Sequence, residues 1–460
     1  MNCRTVWGPV ALAMVASAAA GQVVYVPVFP FKGDAPFDNC GYSVSGAGDV
    51  NNDGFEDFIV GIPGTGFADF GSARVVSGAT GAILYTFNGG AVEDFLGISV
   101  SGAGDVNGDG FDDVIVGAPY HSSNGYAVGR ALVFSGATGA ILYTFNGDAA
   151  LDFFGWSVSG AGDVNNDGFD DVIVGSYPDA AFPTARVFSG ATGQLLYSFG
   201  GEFSFGWSVS DAGDVNNDGF DDVVVGAPQS FNNGPFSGTV RVFSGSTGGV
   251  LYAFNGDSAG DYFGYSVSGA GDVNNDGFDD LIVGAWLDDN NGVDSGSAQV
   301  FSGATGAVLH TFNGDSEFDN FGFSVSGAGD VNNDGFDDVI VGAILDDNNG
   351  TDSGSARVFS GATGAVLHTF NGDSAEDYFG WSVSGVGDVN NDGFDDLIVG
   401  AQQDDSNGTD SGSATFFFSA AAFSWGTALP PACPGDANGD RSVNFADVVD
   451  VLRNFNATCP

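Results

Sequence analysis

The nine residues D-V-N-N-D-G-F-E-D, Asp49 to Asp57, recur almost letter for letter from Asp105, Asp163, Asp214, Asp272, Asp330 and Asp388. The starts lie 56, 58, 51, 58, 58 and 58 residues apart. A fixed period of this size signals one supersecondary unit repeated in space. Oxygen donors fall at alternate positions of the nonamer: Asp49, Asn51 and Asp53, then the main-chain carbonyl of Phe55, then Asp57. Calcium takes about six to eight such oxygens at roughly 2.3–2.6 Å, and the glycine after the third donor allows the sharp turn that wraps the ion.

The same donor set recurs as Asp105, Asn107, Asp109 and Asp113, and as Asp163, Asn165, Asp167 and Asp171. It continues as Asp214, Asn216, Asp218 and Asp222, then Asp272, Asn274, Asp276 and Asp280. The last two sets are Asp330, Asn332, Asp334 and Asp338, and Asp388, Asn390, Asp392 and Asp396. An EF-hand loop would run on to an acid at its twelfth position, on a helix. Here that position is Val60, inside the apolar run Phe58 to Gly61, so each loop sits between two strands and closes on its ninth residue. A solvated turn rich in Asn, Asp and Gly has the same composition. Seven copies with one donor spacing favour the metal.

The chain carries 59 acids against 9 bases, a formal charge of −50. That balance disfavours nucleic acid and anionic membranes as partners. The 43 phenylalanines and 43% hydrophobic content point to a packed fold rather than a disordered acidic chain. About seven calcium ions would bring the charge near −36. Without metal, three carboxylates crowd each loop, and like charges ~4 Å apart repel by roughly 4 kcal/mol at an effective dielectric of 20.

Residues 1–20 have the form of a secretory signal: Arg4, an apolar run from Val10 to Ala16, then Ala18-Ala19-Ala20. Export with cleavage after Ala20 is expected, to a secreted or cell-surface location, with no membrane insertion afterwards. Millimolar extracellular calcium suits numerous weak sites. Of the 4 cysteines, Cys3 would leave with the signal, Cys433 and Cys459 bracket a plausible terminal disulfide, and Cys40 reads as a buried free thiol.

Around each metal loop, four short runs rich in Val, Ile, Phe and Tyr alternate with glycine-rich breaks, an all-β pattern. S-G-A-T-G, as at Ser135 to Gly139, reads as a tight hairpin turn between the third and fourth runs. Four strands per unit and seven units predict a seven-bladed β-propeller over residues 21–426. The chain opens with Val23 to Asp34, whose F-K-G-D ending matches F-N-G-D at Phe145 to Asp148, while the seventh repeat supplies three strands. The N-terminal strand is therefore expected to complete the seventh blade and fasten the ring.

Residues 427–434 read as a proline-rich linker. Beyond it, Asp436, Asn438, Asp440, Asn444 and Asp447 occupy positions 1, 3, 5, 9 and 12 of an EF-hand-type loop-helix, where one further calcium site is expected. Arg441 replaces the usual sixth-position glycine, which weakens that site.

The Phe-Gly and Gly-Ala-Pro pairs flanking the loops resemble FG-GAP repeats, the blades of the integrin α-subunit propeller. Phe154-Gly155, Phe205-Gly206, Phe263-Gly264, Phe321-Gly322 and Phe379-Gly380 keep the first pair; Cys40-Gly41 and Leu96-Gly97 depart from it. Gly117-Ala118-Pro119 and Gly226-Ala227-Pro228 keep the second. The resemblance implies calcium in the loop joining first and second strands, on the lower face, and ligands on the opposite face. Residues 435–460 resemble half of a type I dockerin, which implies a cohesin-like receptor; a surface-anchoring or structural tail is the alternative.

The acidic loops from Asp288, Asp346 and Asp404 and the links such as Gly372 to Asp377 are upper-face candidates for cations or for basic or sugar ligands. Trp156, Trp207 and Trp381 share a place with Tyr42, Tyr265 and Phe323, which favours packing between blades over sugar stacking. His310 and His368 stand where Tyr143 and Tyr252 do, so they read as structural, and His121 shows no partner. Gly256 to Gly260 matches G-x-S-x-G without the strand-turn-helix context or histidine of a nucleophile elbow. The sequence thus reads as a calcium-stabilised, non-enzymatic module for recognition or adhesion at or outside the cell surface, binding an extracellular protein or glycan. A carbohydrate-binding lectin, a polysaccharide-active enzyme and a structural surface-layer component are the alternatives.

Overall fold

Runs such as Asp280–Ala285 (DLIVGA) are buried at every position, which a strand tolerates only when both faces of its sheet are covered. Fourth strands such as Val308–Asn313 instead mix exposed and buried positions, as sheet edges do. The computed structural model describes residues 23–64, 70–122, 125–177 and 184–421. The expected signal segment, linker, terminal calcium loop and Cys433–Cys459 pair lie outside these residues.

The described chain forms 28 strands in seven antiparallel four-stranded sheets. Blade 5 is typical: Val267–Gly271, Asp280–Ala285, Ser297–Phe301 and Val308–Asn313, in that spatial order. The first strands of successive blades touch one another around the axis, and those of blades 7 and 1 touch as well. The ring is closed. Its last sheet pairs Phe379–Gly387, Asp396–Ala401 and Ser413–Ala421 with the N-terminal strand, Val23–Lys32. That strand lies antiparallel to Ser413–Ala421, with Tyr25 opposite Ser419, as the F-K-G-D match predicts.

Seven apolar clusters fill the spaces between blades. In one, Phe321 packs edge-on against Phe359 with ring centroids 5.9 Å apart, and Phe312 stacks on Phe359 at 4.0 Å. The Phe-Gly phenylalanine is the plug: Phe154, Phe205, Phe263, Phe321 and Phe379 are buried, and Cys40 and Leu96 fill the same place at 0% exposure. Cys40 is a buried free thiol.

The glycines of the two motif pairs have a joint role. Within a blade, the N–H of Gly155 donates to the carbonyl of Gly175 at 3.0 Å, as Gly97 does to Gly117. Between blades, a Cβ on Gly117 would lie 2.0 Å from the carbonyl oxygen of Gly155. Only glycine lets the sheets come this close. A second girdle is made by first-strand serines: Val100 N–H donates to Ser43 Oγ, Val158 to Ser99, Val267 to Ser208, and Val44 to Ser382 across the closure.

Fourth strands also reach sideways. Tyr85, Tyr143, Tyr197 and Tyr252 donate their hydroxyls to Gly136, Gly190, Gly245 and Gly303 in the next blade at 2.6–2.7 Å. His310 makes the same contact through Nε2 to the carbonyl of Gly361 at 2.7 Å, so it substitutes for tyrosine as expected. His368 instead lies against Tyr25 of the closing strand, with ring centroids 4.8 Å apart.

The Phe321→Ala variant should lose about 3–5 kcal/mol by urea unfolding, because the packed site cannot collapse around the cavity. Val308→Ala, at a 50% exposed edge position, should change stability by no more than about 0.5 kcal/mol. Equal effects would contradict inter-blade packing as the source of cohesion.

Candidate metal centres and the opposite face

In an antiparallel four-stranded blade, the loops joining strands one to two and three to four share one end. The two-to-three loops and blade-to-blade links share the other. The topology therefore gathers all seven aspartate loops on one face of the ring.

Each loop is wound around its first aspartate. Asp49 Oδ1 accepts the N–H of Asp53 at 2.9 Å and its Oδ2 that of Gly54 at 2.7 Å. Asp272 does the same with Asp276 and Gly277, and Asp388 with Asp392 and Gly393. The ninth residues, Asp57, Asp113, Asp171, Asp222, Asp280, Asp338 and Asp396, are all 0% exposed. Asp57 Oδ1 accepts the N–H of Gly78, in the turn after the third strand, and Oδ2 accepts the side-chain amide of Asn51 at 2.9 Å. The pattern repeats through Asp280 with Gly303 and Asn274, and Asp338 with Gly361 and Asn332. In six blades the ninth-position aspartate thus ties the aspartate loop to the hairpin turn.

Burial, above all, pushes the carboxyls of Asp57, Asp113, Asp171, Asp222, Asp280 and Asp338 from their usual 3.8 up to about 7. The first- and fifth-position carboxylates of the same loop push in the same direction. Asp396 is raised well above the usual range for the same reasons. The crowding is looser than the sequence suggests. Among the described residues, the one set of three acidic side chains with oxygens all within 4.8 Å of one another is Asp315, Asp319 and Asp346, outside the loops. Backbone N–H groups and the third-position asparagine hold the loop carboxylates in place instead.

The donor set nonetheless fits a hard cation. Asn390 is 0% exposed, and its Oδ1 has no hydrogen-bond partner. A buried carboxamide oxygen beside Asp396 and Asp392 is an acceptor without a donor, which a cation would satisfy.

Two further loop positions carry contacts that the donor spacing does not reveal. The eighth-position carboxylate crosses to the preceding blade: Asp112 Oδ2 accepts the N–H of Asp49 at 2.7 Å. Asp170, Asp221, Asp279, Asp337 and Asp395 hold Asp105, Asp163, Asp214, Asp272 and Asp330 in the same way. The fourth-position asparagine crosses in the other direction, Asn52 to the carbonyl of Gly110 and, at the closure, Asn391 to that of Gly54, both at 2.8 Å. Their signal in the sequence is their recurrence at a fixed place in the nonamer.

The opposite face carries an arc of half-buried aromatic rings. Trp156 touches Trp207 at 5.6 Å between centroids, Trp207 touches Tyr265, Tyr265 touches Phe323, Phe323 touches Trp381, and Trp381 touches Tyr42. These side chains contact their counterparts in neighbouring blades, as expected, yet they stay partly exposed and stand apart from the seven buried clusters. Phe37, Phe203, Phe231, Phe318 and Tyr126 are exposed in the links and loops of this face.

Arginines answer the acidic links in most blades. Arg357 lies 2.7 Å from Asp315 and 3.3 Å from Asp346, while Arg74, Arg186 and Arg241 pair with Asp34, Asp148 and Glu202. Gln299 and Thr415 stand in the corresponding places of blades 5 and 7. His121 corrects the sequence reading: its Nδ1 lies 2.9 Å from Asp94 Oδ1, and Asp94 also binds Arg130 at 3.2 Å. The two are 27 residues apart, so no local spacing announces the pair.

FG-GAP repeats match this chain over residues 96–134, 154–192, 205–243 and 379–417, and a second FG-GAP repeat family matches 251–301. The ring carries FG-GAP repeats and is similar to the integrin α propeller. Integrin alpha-5 of Xenopus laevis is 35% identical over 210 residues, covering 41% of this chain and 20% of that protein. Integrin alpha-V of Gallus gallus is 29% identical over 215 residues, covering 42% and 20%. Integrin alpha-8 of Mus musculus is 30% identical over 210 residues, covering 41% and 19%. The matches span about a fifth of these relatives' length.

The raised ninth-position carboxyls set a pH dependence for the metal-free protein. Between the usual 3.8 and about 7 the folded chain holds protons that the unfolded chain has released, so stability falls as pH rises through that window. Thermal melting in chelator should give a lower Tm at pH 8 than at pH 5. An unchanged or higher Tm at pH 8 would contradict buried, uncompensated carboxyls.

Proposed function

We propose that this protein is an exported calcium-binding propeller that recognises a ligand outside the cell, in adhesion or a related role, with calcium structural rather than catalytic. The observation that carries the reading is the division of labour between faces. One face is occupied by seven loops with the donor set of a calcium site. The other presents half-buried aromatics on a rigid ring, flanked by exposed Phe37, Phe203 and Phe318. The likeness to integrin α chains supports a protein ligand. The first, third, fifth and ninth residues of each loop, with the seventh-position carbonyl, would hold the ion. It would supply the positive charge that the buried ninth aspartate lacks.

The aromatic arc also suits a glycan, since sugar rings stack on Trp and Tyr faces, which makes a lectin the second reading. Binding to arrays of extracellular proteins and of glycans, in calcium buffer, separates the two. Trp207→Ala should lose the ligand without losing the fold. Binding that is unaffected by Trp207→Ala and by Phe323→Ala would remove the aromatic face from the account.

The proposed domain plan is an exported propeller over 21–426 followed by a separate calcium-loop tail at 435–460. For the calcium itself, native mass spectrometry of residues 21–460 should count about seven or eight ions at the occupancy expected of such loops. Chelation should lower Tm by at least about 10 °C, as loss of several bound cations removes several kcal/mol of linkage stabilisation. No bound calcium and no shift would leave the nonamers as turn chemistry alone.

A further inference from the structure

The ring closes at a place where two buried polar atoms lack partners among the described residues, Asn390 Oδ1 and Ser419 Oγ; on the closing strand Tyr25 Oη, whose ring packs on His368 and Phe370 of blade 6, lacks one too. Asn390 and Ser419 meet at one carboxylate. Asn390 and the N–H of Ser419 both bind the carboxylate of Asp396, at 3.3 and 2.8 Å. Tyr25 is the cross-strand partner of Ser419. Asn390, Asp396 and Ser419 are all 0% exposed, so no bulk water repairs the deficit.

This corner differs from the other six by construction. Elsewhere the ninth aspartate grips a glycine, such as Gly303 or Gly361, from which the chain turns back into its own fourth strand. In blade 7 the grip falls on Ser419, within an uninterrupted strand whose partner comes from the other end of the chain. The closure also lacks one inter-blade tie. Glu56 replaces the eighth-position aspartate, and it makes no hydrogen bond to the N–H of Asp388, while the other six carboxylates each make theirs.

We propose that cation capture by the seventh loop locks the ring shut, so that this site governs the seating of the N-terminal strand. The inference rests on the calcium reading given above. A cation held by Asn390 and Asp396 satisfies the orphaned carboxamide oxygen and neutralises the buried carboxylate. Asp396 then fixes Ser419, and Ser419 fixes the strand on which Val23–Lys32 lies. Without the ion, this corner keeps an unpaired acceptor and an uncompensated acid, and local opening releases the N-terminal strand first. The coupling runs both ways: a seated strand must tighten the seventh site by the same factor.

Hydrogen exchange read by mass spectrometry tests this on the full exported chain, with calcium ions counted by native mass spectrometry. Asp392→Asn weakens the seventh loop, and Asp276→Asn weakens the fifth as a control. Exchange in Val23–Lys32 should quicken about tenfold or more in Asp392→Asn and stay within about twofold in Asp276→Asn, as expected for local rather than global opening. Equal effects of the two variants would overturn the proposal. If Asp392→Asn does not fold, chelator titration of the unaltered protein decides. Val23–Lys32 must then lose protection before Val250–Asn255, the fourth strand of blade 4, and simultaneous loss overturns the proposal. Calcium bound with the N-terminal strand indifferent to it rejects this inference alone. No calcium bound at all rejects the reading beneath it.

Discussion

The ninth-position aspartate of each loop is the constraint on which the ring depends. It is fully buried, and in six blades it clamps the loop between the first two strands to the turn between the last two, as Asp280 does with Asn274 and Gly303, while in the seventh Asp396 clamps the third strand at Ser419. A carboxylate in such a place is costly unless paired or neutralised. Hydrogen bonds from one amide and one N–H supply part of the compensation, and a cation would supply the rest. The aspartate loops and the blade architecture are thus one structure, because the residue proposed to bind the ion also sets the hairpin turn in six blades.

The same nonamer fastens each blade to its neighbour, and the two exceptions show how the ties share the load. Gly108 replaces the crossing asparagine in blade 2, but Asp170 still binds the N–H of Asp105. Glu56 replaces the crossing aspartate in blade 1, but Asn391 still reaches Gly54. Every junction therefore keeps at least one loop-to-loop bond in addition to the serine girdle and the apolar cluster. The glycine approach, Gly117 to Gly155 for example, sets the spacing at which all of these can form.

Period, strand pattern and closure were legible in the sequence because each is a local or repeated signal. The nonamer marks the blade, the V-I-V-G runs mark strands covered on both faces, and F-K-G-D at Phe31 to Asp34 betrays a fourth strand displaced to the front of the chain. What stayed hidden was contact across blades. The roles of Asp112 and Asn52 need a partner about one repeat away, and His121 finds Asp94 only through the juxtaposition of a link and a loop. The aromatic arc was half legible: the shared position of Trp156, Tyr265 and Phe323 is visible in the repeat, while their partial exposure depends on where the first strands end at the ring's mouth.

A crystal grown with a lanthanide in place of calcium, with anomalous diffraction recorded at its absorption edge, tests the central claim most directly. The account predicts one strong peak in each of the seven loops, all on one face, each bounded by first-, third-, fifth- and ninth-position oxygens at about the 2.3–2.6 Å expected for such ions. Loops without peaks, with Asn51 still donating to Asp57 and its counterparts unchanged, would show that the nonamers hold the ring by hydrogen bonds alone.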